Sequence, residues 1–161
     1  MYSVCRRVLG HDADAADATQ DALLAAVRGL PRFDGTAAFS TWVYRIATNT
    51  CFDHLRRQRR RPTTPLDESG PLADVSHDGP TFDHRLADRL AIDAALAALP
   101  EDFRMAVVLR DVADLDYADI ATTLGVPIGT VRSRIARGRA ALARELGNRP
   151  DPTERPTNDH D

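Results

Sequence analysis

Apolar residues recur every three or four positions along most of this chain, the spacing of helices that bury one face. From about Asp14 to Leu30, Ala18, Ala22, Leu23, Ala26, Val27 and Leu30 fall on one predicted helical face, and Pro31 with Asp34-Gly35 ends the run. Residues 1–10 read as the last turns of a helix that starts before Met1, with a polar break at Asp12–Asp14. A long helix is predicted from about Ser40 to Arg60. Its core side would carry Val43, Ile46, Ala47 and Thr50. Trp42, Arg45, Asn49, Asp53 and Arg56 would form a stripe on its other side.

The periodicity then stops. Residues 62–84 hold four prolines, two glycines, five acids and few large apolar groups. Such a segment buries too little surface to offset its ordering entropy, so a flexible acidic linker is expected. A second helical unit follows over 85–147. Leu86, Leu90, Leu96 and Leu99 mark its first helix. Pro100 suits the first turn of the next, where a missing N–H is no loss, and Phe103, Val107, Val108 and Val112 give that helix an apolar face. Asp116 can cap a short helix ending at Leu124, with Asp119 near its positively polarised start and Gly125 as a left-handed stop. The last helix runs from about Ile128 to Leu146. The acidic, proline-rich tail over 148–161 is expected to be disordered. The fold class is all-α: two small helical domains, 1–61 and 85–147, joined by the linker.

Composition supports helices. Hydrophobic residues make up 43% of the 161 positions, aromatics only 6%, and alanine is abundant. Alanine loses no side-chain entropy in a helix and is depleted in strands. No charged-then-apolar leader opens the chain and no apolar run approaches spanning length, so no membrane insertion is expected and the expected location is the cytoplasm. Cys5 and Cys51 lie far apart without metal-ligand spacing, and read as two buried thiols in a reducing compartment. His11, His54, His77, His84 and His160 form no metal pattern. There is no Ser-His-Asp arrangement and no Gly-rich phosphate loop. Neither catalysis, nor a metal, nor a cofactor is expected.

The formal net charge of -3 conceals two basic clusters. One is RRQRRR at 56–61. The other is the final helix, with five arginines from Arg132 to Arg144 and no acid among them. Local field matters more than net charge to a polyanion. In that helix Val131, Ile135, Gly138, Leu142 and Leu146 share one face. Ser133, Arg134, Arg137 and Arg144 point away from it, and Arg132 and Arg139 flank it. A short helix, the tight Gly125-Val126-Pro127 connection and an arginine-rich helix make a helix-turn-helix pattern, whose second helix enters the DNA major groove. Guanidinium pairs with phosphate and can grip guanine O6 and N7 with two bonds.

Two stretches narrow the field of helix-turn-helix proteins. DADAADATQDALLAAVRGLPRFDGTAAFSTWVYRIATNTCFDHLRR resembles region 2 of the sigma-70 family in its compact extracytoplasmic-function (ECF) branch, which includes SigM-type members. LPEDFRMAVVLRDVADLDYADIATTLGVPIGTVRSRIARGRAAL resembles region 4 of the same branch. The resemblance implies a dissociable initiation subunit of bacterial RNA polymerase. Its region 2 would bind the clamp helices of the largest core subunit and capture the -10 promoter element. Its region 4 would dock on the flap of the second large subunit and read the -35 element. An anti-sigma protein is a further implied partner.

Carried over by position, Asp14, Asp17, Gln20 and Asp21 match the core-binding helix. Phe39, Ser40, Thr41, Trp42, Arg45, Asn49, Arg56 and Arg57 match the loop and helix that face the -10 element, where unpaired bases need stacking surfaces and edge-reading donors. Thr130, Arg132, Ser133, Arg134, Ala136, Arg137 and Arg139 match the recognition helix, with Arg132, Ala136 and Arg137 at the usual base-contacting positions. Leu109 and Val112 would serve either the flap contact or the domain core. Two departures stand out. Family members usually carry about one more helix before the segment matching Tyr2–Gly10, so either Met1 is not the true start or region 2 is incomplete. Arg45 and Ile46 stand where primary sigma factors carry an aromatic pair that helps open the duplex, which implies weak melting of poor promoters. The alternative function is a stand-alone helix-turn-helix regulator that binds operators without polymerase.

Overall fold

The computed structural model describes residues 1–60 and 80–147, the side chains of 80–86 excepted; most of the expected acidic linker and the whole expected tail lie outside the described residues. Every regular element among them is helical. The first unit is three helices: α1 (Tyr2–Leu9), α2 (Asp12–Gly29), and, after a 3-10 turn at Leu30–Arg32, α3 (Phe39–Arg60). Gly10 ends α1 at φ 83, a left-handed conformation that costs glycine little and other residues more. The break therefore falls at Gly10-His11, ahead of the expected Asp12–Asp14, and Asp12 and Asp14 lie in the first turn of α2, where acids suit the helix dipole.

The core of this unit is built from small groups. Val4, Cys5 and Val8 of α1 meet Ala15, Ala18 and Ala22 of α2 and Ala47, Cys51 and Leu55 of α3. Alanines at the seam let the helices approach closely, and this turns the larger residues outward. Leu23, Leu24, Val27 and Leu30 are exposed, Val27 by 70%. The expected α3 face shifts in the same way: Ala47 is buried as expected, whereas Val43, Ile46 and Thr50 are half-buried and Thr48 and Cys51 take the deepest places. Cys5 and Cys51, distant in sequence, are both free thiols buried in this core.

The second unit comprises α4 (Pro80–Ala98), α5 (Glu101–Asp111), α6 (Tyr117–Leu124) and α7 (Ile128–Gly147). Helix α4 starts at Pro80, within the segment expected to be linker; a proline is at home in a first helical turn. Pro100 stands one place earlier than expected, as the residue that precedes α5. Met105, Ala106, Val107, Val108 and Leu109 are all buried, so α5 is enclosed on every side. Leu109 is therefore core, while Val112 and Leu90 are exposed. Asp116 caps α6 as expected, its carboxylate accepting from the Asp119 N–H at 2.7 Å, and Gly125 closes the helix at φ 65.

The two units pack on each other, α1 against α4 and α5, and α3 against α6. Arg104 of α5 joins them. Its guanidinium donates to the Val8 carbonyl of α1 at 2.7 Å, and to the Ala97 and Leu99 carbonyls at the end of α4 at 2.7 and 3.0 Å. These are unsatisfied C-terminal carbonyls that a cation suits. Burial pulls the Arg104 pKa below its ordinary value, and the charge of Glu101 opposes that shift. Arg59 reaches Glu101 at 2.6 Å, and Arg6 and Arg7 approach Asp93 at 3.6 and 3.4 Å.

Candidate nucleic-acid interface

Helix α7 lies on α5 through Val131, Ile135 and Gly138, all buried. Gly138 is required by the packing: a Cβ there would sit 2.6 Å from Val107 Cγ2 and 3.4 Å from the Phe103 carbonyl oxygen. The burial of that face turns Arg132, Ser133, Ala136 and Arg137 to solvent as one contiguous strip. The other expected recognition residues are held back. Arg134 is half-buried and bonded to Asp102 at 2.7 Å. Arg139 forms a two-pronged pair with Asp111, which raises its pKa through the hydrogen bond and the charge of that carboxylate. Thr130 is half-buried, and its carbonyl accepts the Ser133 hydroxyl at 2.9 Å. Arg132 lies over the Tyr117 ring, 5.7 Å from its centroid, and shares that ring with Arg110. The ring faces the Arg132 guanidinium without consuming its N–H donors.

In the first unit the turn before α3 builds an aromatic cluster. The Phe33, Phe39 and Trp42 rings are mutually in contact, with centroids 5.2–5.7 Å apart. Asp34 organises the turn by accepting the Thr36 N–H at 3.0 Å and hydroxyl at 2.8 Å; those bonds lower its pKa, the backbone bond most. Trp42 rests on Gly29, where a Cβ would come within 3.1 Å of the indole. A cleft of about 240 Å³ opens beside the cluster, lined by Arg32, Phe33, Thr41, Trp42, Arg45 and, from α6, Thr122. Phe39 is 54% exposed, and Ser40, Arg45, Asn49, Arg56 and Arg57 are exposed along α3. Trp42 is half-buried, and Thr41 is buried with its hydroxyl unpaired. Arg56 pairs with Asp53 at 3.2 Å, a surface contact worth little. Phe33, Arg32 and Thr122 are absent from the sequence-based site. A lone aromatic ahead of Asp34-Gly35 was the available signal for Phe33; Thr122 left none.

The four expected core-binding residues of α2 divide into two pairs. Asp14 accepts from Gln58 at 2.8 Å and Asp21 lies 3.2 Å from His54, so both face α3. Asp17 and Gln20 are exposed and share a stripe with exposed Leu24 and Val27.

The Sigma-70 region 2 family profile matches residues 1–61, and the Sigma-70, region 4 profile matches residues 89–142. The chain belongs to the sigma-70 family. Its relatives place it in the ECF branch. The chain is 46% identical over 147 residues to the ECF RNA polymerase sigma factor SigM of Mycobacterium tuberculosis, covering 91% of this chain and 71% of that protein. It is 40% identical to the RNA polymerase sigma-H factor of Pseudomonas aeruginosa (84% and 75% covered) and 38% identical to the ECF RNA polymerase sigma-E factor of Escherichia coli K12 (80% and 72% covered). Among solved structures, the sigma factor RpoE of Bartonella quintana, in complex with the anti-sigma factor NepR, superposes with a TM-score of 0.73 at 25% identity, covering 92% of this chain and 91% of that one. CnrH, in complex with the cytosolic domain of CnrY, shares the fold with a TM-score of 0.65 at 24% identity, covering 91% of this chain and 79% of that one. This sigma factor binds bacterial RNA polymerase core and directs promoter recognition and transcription initiation. Among its described residues, no helix is long and apolar enough to cross a membrane.

Proposed function

We propose that the sigma factor reads its promoter through two surfaces. The α7 strip of Arg132, Ser133, Ala136 and Arg137 reads the -35 element in the major groove. Arg134 and Arg139 support that helix from its flanks and turn to phosphate once DNA competes for them. The Phe33–Phe39–Trp42 cluster and its cleft take an unpaired base of the -10 element, with Arg32, Arg45 and Asn49 supplying donors. Arg56 and Arg57 face phosphate at the end of α3. The exposed stripe of Asp17, Gln20, Leu24 and Val27 meets the clamp helices, with Asp14 and Asp21 holding α2 on α3 behind it. The boundaries we assign are region 2 over 1–61, a linker that ends where α4 begins at Pro80, and region 4 from there to 147. The protein acts in the cytoplasm by binding rather than by catalysis, and an anti-sigma protein is its regulator, as NepR is bound to the Bartonella RpoE.

One observation carries this reading: two aromatic residues, Phe33 and Trp42, with Phe39 packed on both, and two arginines, Arg32 and Arg45, line a cleft built mainly from the unit that is not the helix-turn-helix. A stand-alone operator-binding regulator needs no base pocket there. The test is binding of a single-stranded -10 oligonucleotide by the holoenzyme assembled from purified core. Trp42→Ala should weaken it by about 1–3 kcal/mol, the value of one stacked base. Unchanged oligonucleotide binding removes the base pocket. Sequence-specific operator binding by the isolated protein, with no change in transcript start sites when core is added, favours the regulator.

A further inference from the structure

Arg132 is the first arginine of the α7 strip, and it is held differently from its neighbours. Arg134 and Arg139 are each held by a carboxylate, that of Asp102 and that of Asp111. Arg132 lies over the Tyr117 ring. The difference bears on DNA. A carboxylate occupies N–H donors that a base edge or a phosphate would take, whereas a ring face attracts the cation and leaves those donors open.

The ring itself is fixed in place. Tyr117 is the first residue of α6, directly after the Asp116 cap, and is half-buried. Helix α6 packs on α7. From α5, Arg110 reaches the same ring, its Cζ 5.5 Å from the centroid. Arg110 is anchored in turn: it donates to the buried Leu115 carbonyl at 2.8 Å and lies 3.7 Å from Asp114. One guanidinium thus ties the turn between α5 and α6 to the ring. An exposed arginine loses much rotamer freedom when it grips a base. One already lying over a fixed ring has less to lose, so its binding is stronger for the same contacts.

We propose that Tyr117 is a positioning residue for -35 recognition: its ring steadies the Arg132 guanidinium at the exposed surface of α7, so that Arg132 meets its base with less ordering left to do. This rests on the reading of the α7 strip as the -35 reader. Tyr117 acts through Arg132, and Arg110 steadies the ring from α5. The ring, rather than the hydroxyl, carries the effect.

The test is transcription by holoenzyme assembled from purified core and the full chain, on promoters that vary each -35 position singly. Arg132→Ala identifies the position that Arg132 reads, by a loss of preference of at least about fivefold there. Tyr117→Leu should lower preference at that same position by about two- to fivefold and leave the others unchanged. Tyr117→Phe keeps the ring and should match wild type. With Arg132→Ala already present, Tyr117→Leu should add nothing at that position. Preference is a ratio within one preparation, so an unfolded fraction cancels. A second measurement needs no variant: in the free wild-type chain, NMR relaxation should find the Arg132 Nε–Hε group more ordered on the ps–ns timescale than that of Arg137. Five results would overturn the proposal: Arg132 as mobile as Arg137, a wild-type profile in Tyr117→Leu, an equal loss at every position, Tyr117→Phe losing as much as Tyr117→Leu, or additive losses in the double variant. If Arg132→Ala leaves every preference unchanged, the -35 reading of Arg132 fails and takes this proposal with it. If Arg132→Ala shifts one position and Tyr117→Leu does not, the proposal fails and the reading stands.

Discussion

Replacing Gly138 with alanine tests how closely the recognition helix is seated. The added Cβ would lie 2.6 Å from Val107 Cγ2, against an ordinary carbon–carbon contact of about 3.5–4.0 Å, so something must move by about 1 Å. Val107 is buried and β-branched, which leaves it few alternative rotamers in a helix. The Phe103 carbonyl oxygen, 3.4 Å from the same point, is backbone and cannot swing away. The strain of one inserted carbon in a packed core costs about 1–3 kcal/mol. Alanine is the better helix former by about 1 kcal/mol, which offsets part of it. With backbone blocking one side, the cost falls in the upper half of its range, and the net loss is about 1–2 kcal/mol. For a protein of this size each kcal/mol moves the melting point by roughly 2–4 °C. Circular dichroism melts and urea titrations of the full chain measure it. Val107→Ala in the Gly138→Ala background should recover part of the loss, although the same change costs stability in wild type. A melting point equal to or above wild type would refute the close-approach argument.

Arg137→Ala should weaken transcription from promoters with a specific -35 element by about 1–3 kcal/mol and relax preference at one base; a loss equal across all sequences makes it a phosphate contact. Asp111→Asn releases Arg139 from its carboxylate, so holoenzyme should bind duplex -35 DNA more tightly and the slope of log K against log salt should steepen by about one unit. No change in slope means that Arg139 stays away from phosphate. Arg104→Met leaves the Val8 carbonyl without the donor that reaches it across the units, weakening the contact between them by about 1–3 kcal/mol. Small-angle scattering should then show a larger radius of gyration, and an unchanged radius shows that apolar packing alone holds them together.

Legibility in the sequence followed the range of the interaction. Asp116 and Gly125 state the ends of α6 in local chemistry, and both were readable. The exposed strip of α7 was readable because glycine and β-branched residues mark the opposite face. The α2 face was only half readable. Its alanines pack deepest because they are small, while size and hydropathy point to Leu23, Leu24 and Val27, which the structure leaves outside. The carbonyl acceptors of Arg104 have no side-chain signature, so the contact between the units was invisible, and so was Thr122 at the cleft. Arg134 and Arg139 read as DNA contacts from their charge alone; their acidic partners sit about thirty positions upstream, beyond any helical spacing.

A promoter sets its two elements apart by a run of spacer DNA, whereas Arg104 gathers the ends of α1 and α4 around a single side chain, and Thr122 sits at the mouth of the base cleft. A ruler folded shut cannot span that interval. The first work of polymerase on this subunit would therefore be mechanical: it would have to draw the Val8 carbonyl away from the Arg104 guanidinium before either mark on the ruler could be held against DNA.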